Sequence, residues 1–241
     1  MSLKITSVVK LDFEIISHKT INSTNLYAYD LGKLGKRNKI VVSEIQPHGK
    51  GRLDRSWFSS KGGLYFSVLM DIKDVGKIEK INFLGSLSVV ETLKEFSDVE
   101  FGIKWPNDVL FKNKKICGIL TELNVIYGYL VLGIGININN EIDSKIKEIG
   151  TSLKEIENLE FNVDLILKKF IEVFIKNLKL DDELILESYK KYSKTMFKDV
   201  NLITLEKTVT GKVVDISYNG IHIDTGNYVE IFNVGDCVHL R

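Results

Sequence analysis

Several residue types are scarce in this chain of 241 residues, and each scarcity argues against a class of protein. The two cysteines, Cys117 and Cys237, lie far apart without a CxxC pattern, which argues against a disulfide scaffold and structural zinc. The four histidines have no HxxxH or HExxH spacing. Neither a GxGxxG fingerprint nor a GxxxxGK[ST] loop occurs, so the sequence predicts neither a dinucleotide-binding Rossmann fold nor a P-loop.

Charge balance and the absence of long apolar runs limit where the protein acts. Lys and Arg number 33 against 32 Asp and Glu, so the net charge of +1 creates no overall field toward nucleic acid or a membrane surface. No stretch approaches the roughly 18 apolar residues of a membrane span, and residues 1–5 lack the apolar run of a secretory signal. We expect a cytoplasmic protein that binds no nucleic acid and no membrane.

The scarce tryptophans, prolines and single glutamine are concentrated in two polar segments studded with lysine and arginine. The first runs from Gln46 to Trp57 and the second from Lys104 to Gly118. The rest of the chain is built mostly from Ile, Leu, Val, Lys, Glu and Asn. The two segments are therefore the predicted site.

Apolar periodicity predicts an α+β fold. Ser23-Thr24-Asn25 supplies N-cap side chains for a first helix, which ends toward Gly32 and Gly35. Helical spacing recurs at 78–96, 163–180 and 182–192. Strand-like runs are found at 39–45, 64–70, 101–105, 109–111, 116–123 and 128–138. A hairpin turn is predicted at Asn113-Lys114, between the runs at 109–111 and 116–123.

The C-terminal part of the sequence changes character. Short β runs separated by Asn-Gly, Gly-Asn and Gly-Asp turn pairs occur at 200–205, 209–216, 220–224, 228–232 and 236–240. At 44% hydrophobic residues, the chain is long enough for one substantial core and a small additional domain. We expect a main domain at 1–195 and a small β-barrel-like domain at 196–241.

Two glycines, Gly133 and Gly135, alternate along the strand predicted at 128–138 and share one of its faces. Missing side chains at these positions would let a ligand approach the backbone closely.

The first polar segment has two interpretations. Glycines bring backbone N–H groups close to an anion, and Lys50, Arg52 and Arg55 can neutralise its charge. The same residues are compatible with a solvated basic loop. Trp57 can stack on a flat ring such as adenine, or it can be an ordinary core aromatic residue.

The second polar segment is equally open when its residues are taken singly. Pro106-Asn107-Asp108 is a good turn sequence, so Asp108 can simply bond nearby backbone. Lys115 can be one more surface lysine. Its position just ahead of an apolar strand, however, suits a pocket wall better than a core.

Taken together and in order, these motifs resemble those of the biotin protein ligase family. The resemblance extends from about Phe13 to the end of the chain. The residues that carry it are Ser23-Thr24-Asn25, Gln46, Gly49-Lys50-Gly51-Arg52, Trp57, Lys104-Trp105-Pro106-Asn107-Asp108, Lys115, Gly118 and Gly133-Ile134-Gly135-Ile136-Asn137.

The resemblance implies a fold and a two-step reaction. The expected fold is a mixed β-sheet flanked by helices, as in class II synthetases, followed by a small SH3-like β-barrel domain. Biotin and ATP, with Mg²⁺, would give biotinyl-5′-adenylate and pyrophosphate. The biotinyl group would then pass to one lysine of a biotin carboxyl carrier protein. A homodimer is also implied.

The resemblance further implies roles for individual residues. The expected catalytic residues are Lys115, Arg52 and Asp108. Biotin binding is expected from Ser23, Thr24, Asn25, Gln46, Gly49, Lys50, Gly51, Arg52, Lys115 and Gly118. Adenylate or ATP binding is expected from Arg52, Arg55, Trp57, Asn107, Lys115 and Asn137. The residues that would bind the metal are not identified.

Three features depart from the pattern of many relatives. Lys50 stands where an arginine is common, and lysine cannot make the planar two-pronged contact of a guanidinium. Asp54 places a negative charge where a glycine or a small polar residue is common. Only about 20 residues precede Ser23, fewer than a DNA-binding domain requires. We therefore expect the short form of the family, without a repressor role.

Two other functions are alternatives to that of a biotin ligase. Lipoate ligases and octanoyl transferases share the catalytic fold, but the Gly49–Arg52 and Lys104–Asp108 motifs argue against them. A non-catalytic biotin or nucleotide sensor, with the terminal β domain as a protein or RNA adaptor, is disfavoured by the neutral charge and by Lys115 and Asp108.

Overall fold

The computed structural model describes residues 12–53 and 55–240. Asp54, where an unusual negative charge was noted, and the N-terminal residues 1–5 lie outside the described residues. A mixed seven-stranded sheet has the spatial order β1-β2-β3-β7-β6-β5-β4, with β1 and β2 parallel and the other neighbours antiparallel. Its strands are β1 (Glu14–Thr20), β2 (Lys39–Ile45), β3 (Leu64–Asp71), β4 (Phe101–Lys104), β5 (Asp108–Phe111), β6 (Lys114–Asn124) and β7 (Tyr129–Ile136).

Helices cover both faces of this sheet because its central strands are apolar on both sides. Alternate residues of β7 show this: Tyr129 and Val131 pack with Ala28, whereas Leu130 and Leu132 belong to the larger core on the other face. The helices are α1 (Thr24–Lys33), α2 (Lys80–Leu93), α3 (Leu153–Glu157), α4 (Val163–Asn177) and α5 (Asp182–Tyr192). Helix α1 packs on β2, β3 and β7, and α2 packs against α4 and α5. In the part of the chain that the structure describes, no helix is long and apolar enough to span a membrane.

A second, antiparallel sheet lies at the C-terminus, in the order β11-β10-β9-β8-β12. Its strands are β8 (Asp199–Ile203), β9 (Thr208–Ser217), β10 (Gly220–Asp224), β11 (Val229–Phe232) and β12 (Asp236–His239). Its apolar residues join the core of the larger sheet, and the Tyr218 hydroxyl donates a hydrogen bond to the Asp182 carbonyl at 2.5 Å. The α+β class with a separate C-terminal β-sheet is confirmed, while the boundary at 195/196 stays a prediction.

Most predicted elements are present, with three differences. The hairpin turn is formed by Lys112 and Asn113, one residue earlier than predicted, with Lys112 at a φ of +53°. Strand β1 was not predicted, because this edge strand is mostly exposed and shows no apolar alternation. Helix α3 was not predicted either, since its five residues are too few to show a helical period.

Candidate active site

One cavity of about 330 Å³ gathers most of the predicted site residues on the α1 side of the large sheet. It lies where the N-terminus of α1, the first polar segment, strands β5 to β7 and the edge of the C-terminal sheet meet. Its lining includes Ser23, Thr24, Asn25, Gln46, Lys50, Gly51, Arg52, Arg55, Trp57, Asn107, Asp108, Lys115 and Gly118. Segments far apart in sequence therefore form one site.

A chain of polar contacts fixes the wall at the start of α1. The Ser23 side chain caps α1 by accepting a hydrogen bond from the Leu26 N–H at 3.4 Å. The Thr24 N–H donates to Gln46 Oε1 at 2.7 Å, and Gln46 Nε2 donates to Ser59 Oγ at 2.9 Å. Because Gln46 is held at both ends of its amide, its orientation toward the cavity is set by the protein itself.

The network continues from α1 to the sheet through Asn25 and Ser67. Ser67 Oγ lies 2.6 Å from Asn25 Oδ1 and 2.8 Å from Thr24 Oγ1, and the Ser67 side chain is fully buried. Asn25 Nδ2 donates to Glu122 Oε2 at 2.9 Å and to the Leu120 carbonyl at 3.3 Å. This preorganised polar wall suits a ligand group that carries both hydrogen-bond donors and acceptors.

Residues 49–53 and 55–57 form the described part of a short hairpin, called the basic hairpin below. The Trp57 N–H donates to the Gly49 carbonyl at 2.8 Å, and the Gly51 N–H donates to the Arg55 carbonyl at 2.7 Å. The Arg55 N–H closes the tip on the Arg52 carbonyl at 3.1 Å. Gly49, at the base of the hairpin, is buried and does not line the cavity. A Cβ atom there would lie 2.4 Å from the Trp57 carbonyl oxygen, so the close pairing of the two hairpin arms requires glycine.

Arg52 extends from the basic hairpin across the mouth of the cavity. Its Nη1 donates to Asn107 Oδ1 at 3.3 Å, and its Nη2 donates to the Gly235 carbonyl at 3.2 Å. Burial lowers the pKa of the Arg52 guanidinium, while the nearby carboxylates of Asp236 and Asp108 act in the opposite direction. A half-buried guanidinium at this position is suited to an anionic ligand group.

Lys115 and Asp108 form an ion pair at the floor of the cavity, with Lys115 Nζ 2.6 Å from Asp108 Oδ1. The two side chains are brought together by adjacent antiparallel strands, β6 and β5, whose register shifts between Val109 and Leu110. Lys115 Nζ also lies 5.2 Å from the centre of the Trp57 ring system. A cation and a carboxylate therefore face the same space as Arg52.

The glycines of the sheet make room for side chains of the protein itself. A Cβ atom on Gly135 would lie 2.3 Å from Trp57 Nε1, and one on Gly118 would lie 3.0 Å from the same indole ring. A Cβ atom on Gly133 would lie 1.8 Å from Asn25 Oδ1. The face shared by Gly133 and Gly135, which was expected to admit a ligand, thus seats Asn25 and Trp57 in this structure.

We expect Gly135→Ala to displace Trp57, because the added methyl group overlaps the indole nitrogen. Trp105 is only 4% exposed, so a rise in acrylamide quenching would report on Trp57. As a control, Gly128→Asn replaces a remote glycine with φ +66° and open surroundings, and it should leave quenching unchanged. Unchanged quenching in Gly135→Ala would contradict the packing described here.

A second cavity of about 310 Å³ lies beside the first and shares Arg55, Trp57, Asp108 and Lys115 with it. Asn137 lines this second cavity, where its Nδ2 donates to the Thr151 carbonyl and its Oδ1 accepts from Asn140. Trp57 stands at the border of the two cavities. Asn107, in contrast, lines the first cavity only.

Sequence reasoning missed several residues that the structure places in or behind the site. Ser59 and Ser67 complete the polar wall, and Gly235 and Asp236 reach the basic hairpin from the C-terminal sheet. A serine in the apolar strand predicted at 64–70 was the one available signal, since a buried hydroxyl needs a hydrogen-bond partner. The local sequence marked Gly235-Asp236 as a turn pair between two β runs and gave no sign that it belongs to the site.

The described residues do not by themselves assemble a metal site. Over residues 12–53 and 55–240, no group of three or more His, Cys, Asp or Glu side chains is arranged to hold a metal ion. Mg²⁺ commonly takes its oxygen ligands from one or two carboxylates together with phosphates and water.

Comparison with known proteins connects this geometry to one family. A model of the biotin/lipoate A/B protein ligase family matches residues 17–139. The bifunctional ligase/repressor BirA of Bacillus subtilis is 29% identical over 224 residues, covering 86% of this chain and 68% of that protein. The biotin--[acetyl-CoA-carboxylase] ligase of Mycobacterium tuberculosis is 27% identical over 216 residues, covering 84% and 79%.

A solved structure is similar over almost the whole chain. The biotin protein ligase from Aquifex aeolicus in complex with biotin and ATP superimposes with a TM-score of 0.83 at 32% identity. The match covers 94% of this chain and 98% of that one, so it includes both sheets.

Proposed function

The chain belongs to the biotin/lipoate A/B protein ligase family, and we propose that it acts as a biotin protein ligase. In the first step, an oxygen of the biotin carboxylate attacks the α-phosphorus of ATP, and pyrophosphate leaves. In the second step, the amine of an acceptor lysine attacks the acyl carbon of biotinyl-5′-adenylate, and AMP leaves. The acceptor is a biotin carboxyl carrier protein.

One observation carries the proposal: two cations and a preorganised polar wall face a single cavity. Arg52 and Lys115 supply the cations, and Thr24, Asn25 and Gln46 belong to the wall. If the two polar segments were only solvated surface loops, their charged and polar side chains would have no reason to line the same cavity.

We assign recognition of the biotin ureido ring to the polar wall. The ring presents N–H donors and a carbonyl acceptor, and a buried polar group left unpaired costs about 1–3 kcal/mol. Side chains with both donor and acceptor atoms, such as Asn25 and Gln46, can satisfy such a ring. Their contacts with Ser67 and Ser59 hold them in place before the ligand arrives.

Arg52 and Lys115 are assigned to the charge of the first step. Attack of one anion on another is opposed electrostatically, so cations that contact both reacting groups lower the barrier. Arg52 lies at the cavity mouth and Lys115 at its floor, which allows the carboxylate and the α-phosphate to be neutralised together.

Asp108 is assigned to the second step. The acceptor lysine must attack as a neutral amine, although an unperturbed lysine has a pKa of about 10.4. Asp108 faces the cavity 2.6 Å from Lys115 and is positioned to orient the incoming amine or accept its proton.

The adenylate is proposed to extend from the first cavity into the second. Trp57 would stack on the adenine ring, and Asn137, which also lines the second cavity, would form hydrogen bonds with the nitrogens of that ring. Asn107 contacts Arg52 and lines the first cavity only, so we place it near the phosphate rather than the base. The basic hairpin would exclude water from the mixed anhydride.

Several further features of the family remain proposals for this chain. Mg²⁺ would enter with ATP, whose phosphates supply oxygen ligands. A homodimer and a cytoplasmic location are proposed from the resemblance alone. The division into domains at 1–195 and 196–241 is also a proposal.

A thermal-shift comparison of biotin and lipoate separates this function from that of the lipoate-specific members. A ligand that binds the native state at about 100 times its Kd adds about 2.7 kcal/mol of apparent stability. Biotin is expected to raise Tm, and ATP to raise it further. Stabilisation by lipoate but not by biotin would refute the proposal.

The same assay tests the polar wall through Ser67→Ala. Loss of the hydroxyl leaves the Asn25 and Thr24 side chains short of a partner in a buried site, which should lower stability by about 1–3 kcal/mol. Biotin affinity should fall as well, because Asn25 is no longer held. Ser60→Ala, at an exposed serine that lines neither cavity, is the control. Equal biotin affinity in Ser67→Ala and the native protein would remove Ser67 from the site.

A further inference from the structure

The C-terminal sheet contacts the basic hairpin at the point where β12 begins. The Gly235 carbonyl accepts from Arg52 Nη2 at 3.2 Å, and the Asp236 carboxylate pairs with Arg55 Nη2. Together with the Arg52 contact to Asn107, these are the side-chain hydrogen bonds that connect the hairpin tip with the described remainder of the protein. Backbone bonds give the hairpin its shape and anchor its base, and these side-chain bonds connect its tip with the rim of the cavity.

Local backbone geometry aims both groups at the hairpin. Gly235 has a φ of +148°, and a Cβ atom there would lie 2.9 Å from Leu202 Cδ1, so only glycine fits without a shift. Asp236 is paired in register with Ile203 at the end of the β8–β12 ladder. The backbone that carries the carboxylate therefore belongs to a sheet rather than to a loop.

The carboxylate of Asp236 faces both arginines of the hairpin. Its side chain is 22% exposed, whereas that of Arg55 is 65% exposed, so the acid is the more buried partner of this ion pair. Burial lowers the pKa of the Arg52 guanidinium, and the nearby Asp236 carboxylate opposes this lowering. No residue of this sheet was expected to take part in the reaction.

We propose that Asp236 is a positioning residue that holds the basic hairpin closed over the cavity through Arg55, so that the C-terminal sheet controls retention of the adenylate. The inference rests on the proposed function, because it concerns the intermediate of that reaction. It also changes the role of Arg55. Sequence reasoning assigned Arg55 to the adenylate, whereas here Arg55 is a strut between hairpin and sheet.

The two roles of Arg55 predict opposite effects of Asp236→Asn. If Arg55 is a strut, loss of the carboxylate frees the hairpin, and the adenylate escapes faster. If Arg55 binds the phosphate directly, Asp236 competes for it, and Asp236→Asn makes adenylate release slower. The sign of the change therefore decides between them.

The experiment measures release of labelled biotinyl-adenylate, formed by the full chain in a single turnover and chased with unlabelled biotin. We expect Asp236→Asn and Arg55→Gln each to speed release about fivefold, the size expected of a partly exposed ion pair. The double variant should be no faster than either single variant, because both remove the same contact. Asp199→Asn, at an exposed carboxylate of the same sheet, should match the native protein.

Further measurements separate positioning from misfolding. Asp236→Glu keeps the negative charge and should release the adenylate nearly as slowly as the native protein. In Asp236→Asn, the KM for ATP should rise while the single-turnover rate of adenylate formation stays unchanged. About 1 M salt, where the Debye length is ~3 Å, should speed release in the native protein more than in Asp236→Asn. Slower or unchanged release from a folded Asp236→Asn protein would overturn the inference alone. Absence of adenylate formation by the native protein would overturn the proposed function instead.

Discussion

Replacing Lys115 by alanine should slow formation of biotinyl-adenylate by about 10²–10³-fold, the usual cost of removing one preorganised group that stabilises transition-state charge. The lysine lies at the cavity floor, and alanine cannot neutralise a carboxylate approaching a phosphate. Asp108 loses its partner but is 24% exposed, so water can solvate it and Tm should change little. The rate is followed by rapid quench with labelled ATP.

The control for this variant is Lys168→Ala, which removes an exposed lysine from α4, far from the cavity. It should form adenylate at the native rate. A native rate in Lys115→Ala would show that the catalytic assignment of Lys115 is wrong. A large fall in Tm would instead indicate that the lysine is needed for folding.

Replacing Arg52 by glycine should speed loss of the adenylate by about 10- to 100-fold, because a hydrogen bond to a charged group contributes about 1.5–3 kcal/mol. The change also removes the contacts of the hairpin with Asn107 and with the Gly235 carbonyl. Released adenylate hydrolyses or modifies other amines, so biotin transfer should become less selective. Release can be measured with the chase assay used for Asp236.

Arg52→Lys is the matched variant, since it keeps the positive charge but loses the planar two-pronged contact. It should fall between Arg52→Gly and the native protein. If Arg52→Gly retains the adenylate as long as the native protein does, other residues bind the phosphate. Arg52 would then only connect the basic hairpin with Asn107 and Gly235.

Local patterns in the sequence were sufficient to predict most of the regular structure. The buried strands β2 and β3 and the apolar stripe of α2 carry strong signals, because each buries a continuous apolar run or a repeated face. Strand β1 could not be predicted in this way. It is a mostly exposed edge strand that is stabilised by pairing with β2, and a single sequence does not show such pairing.

Ordered motifs predict the candidate site, but they do not predict its internal contacts. Proximity of Lys115 and Asp108 depends on the register of β5 and β6 and on the irregularity between Val109 and Leu110. The contact between Arg55 and Asp236 joins residues 181 positions apart. Distances of this kind follow from tertiary packing, so sequence patterns give no access to them.

The packing around the strand glycines shows which groups occupy the space that they leave. Alternation on one face was correctly expected to leave space beside the strand, yet the space is filled by the side chains of Asn25 and Trp57. Small residues in a strand show that something approaches closely. They do not show whether the approaching group is a ligand or another part of the chain.

ATP-dependent transfer of biotin to a biotin carboxyl carrier domain, with pyrophosphate release followed in parallel, is the decisive test of biotin ligation by this protein. Biotin and ATP alone should give a burst of pyrophosphate that stops when the enzyme is filled with adenylate. Addition of the carrier domain should then give equal amounts of pyrophosphate and biotinylated lysine. A folded protein that releases no pyrophosphate with biotin, or that releases it with lipoate instead, would show that the chain is not a biotin protein ligase.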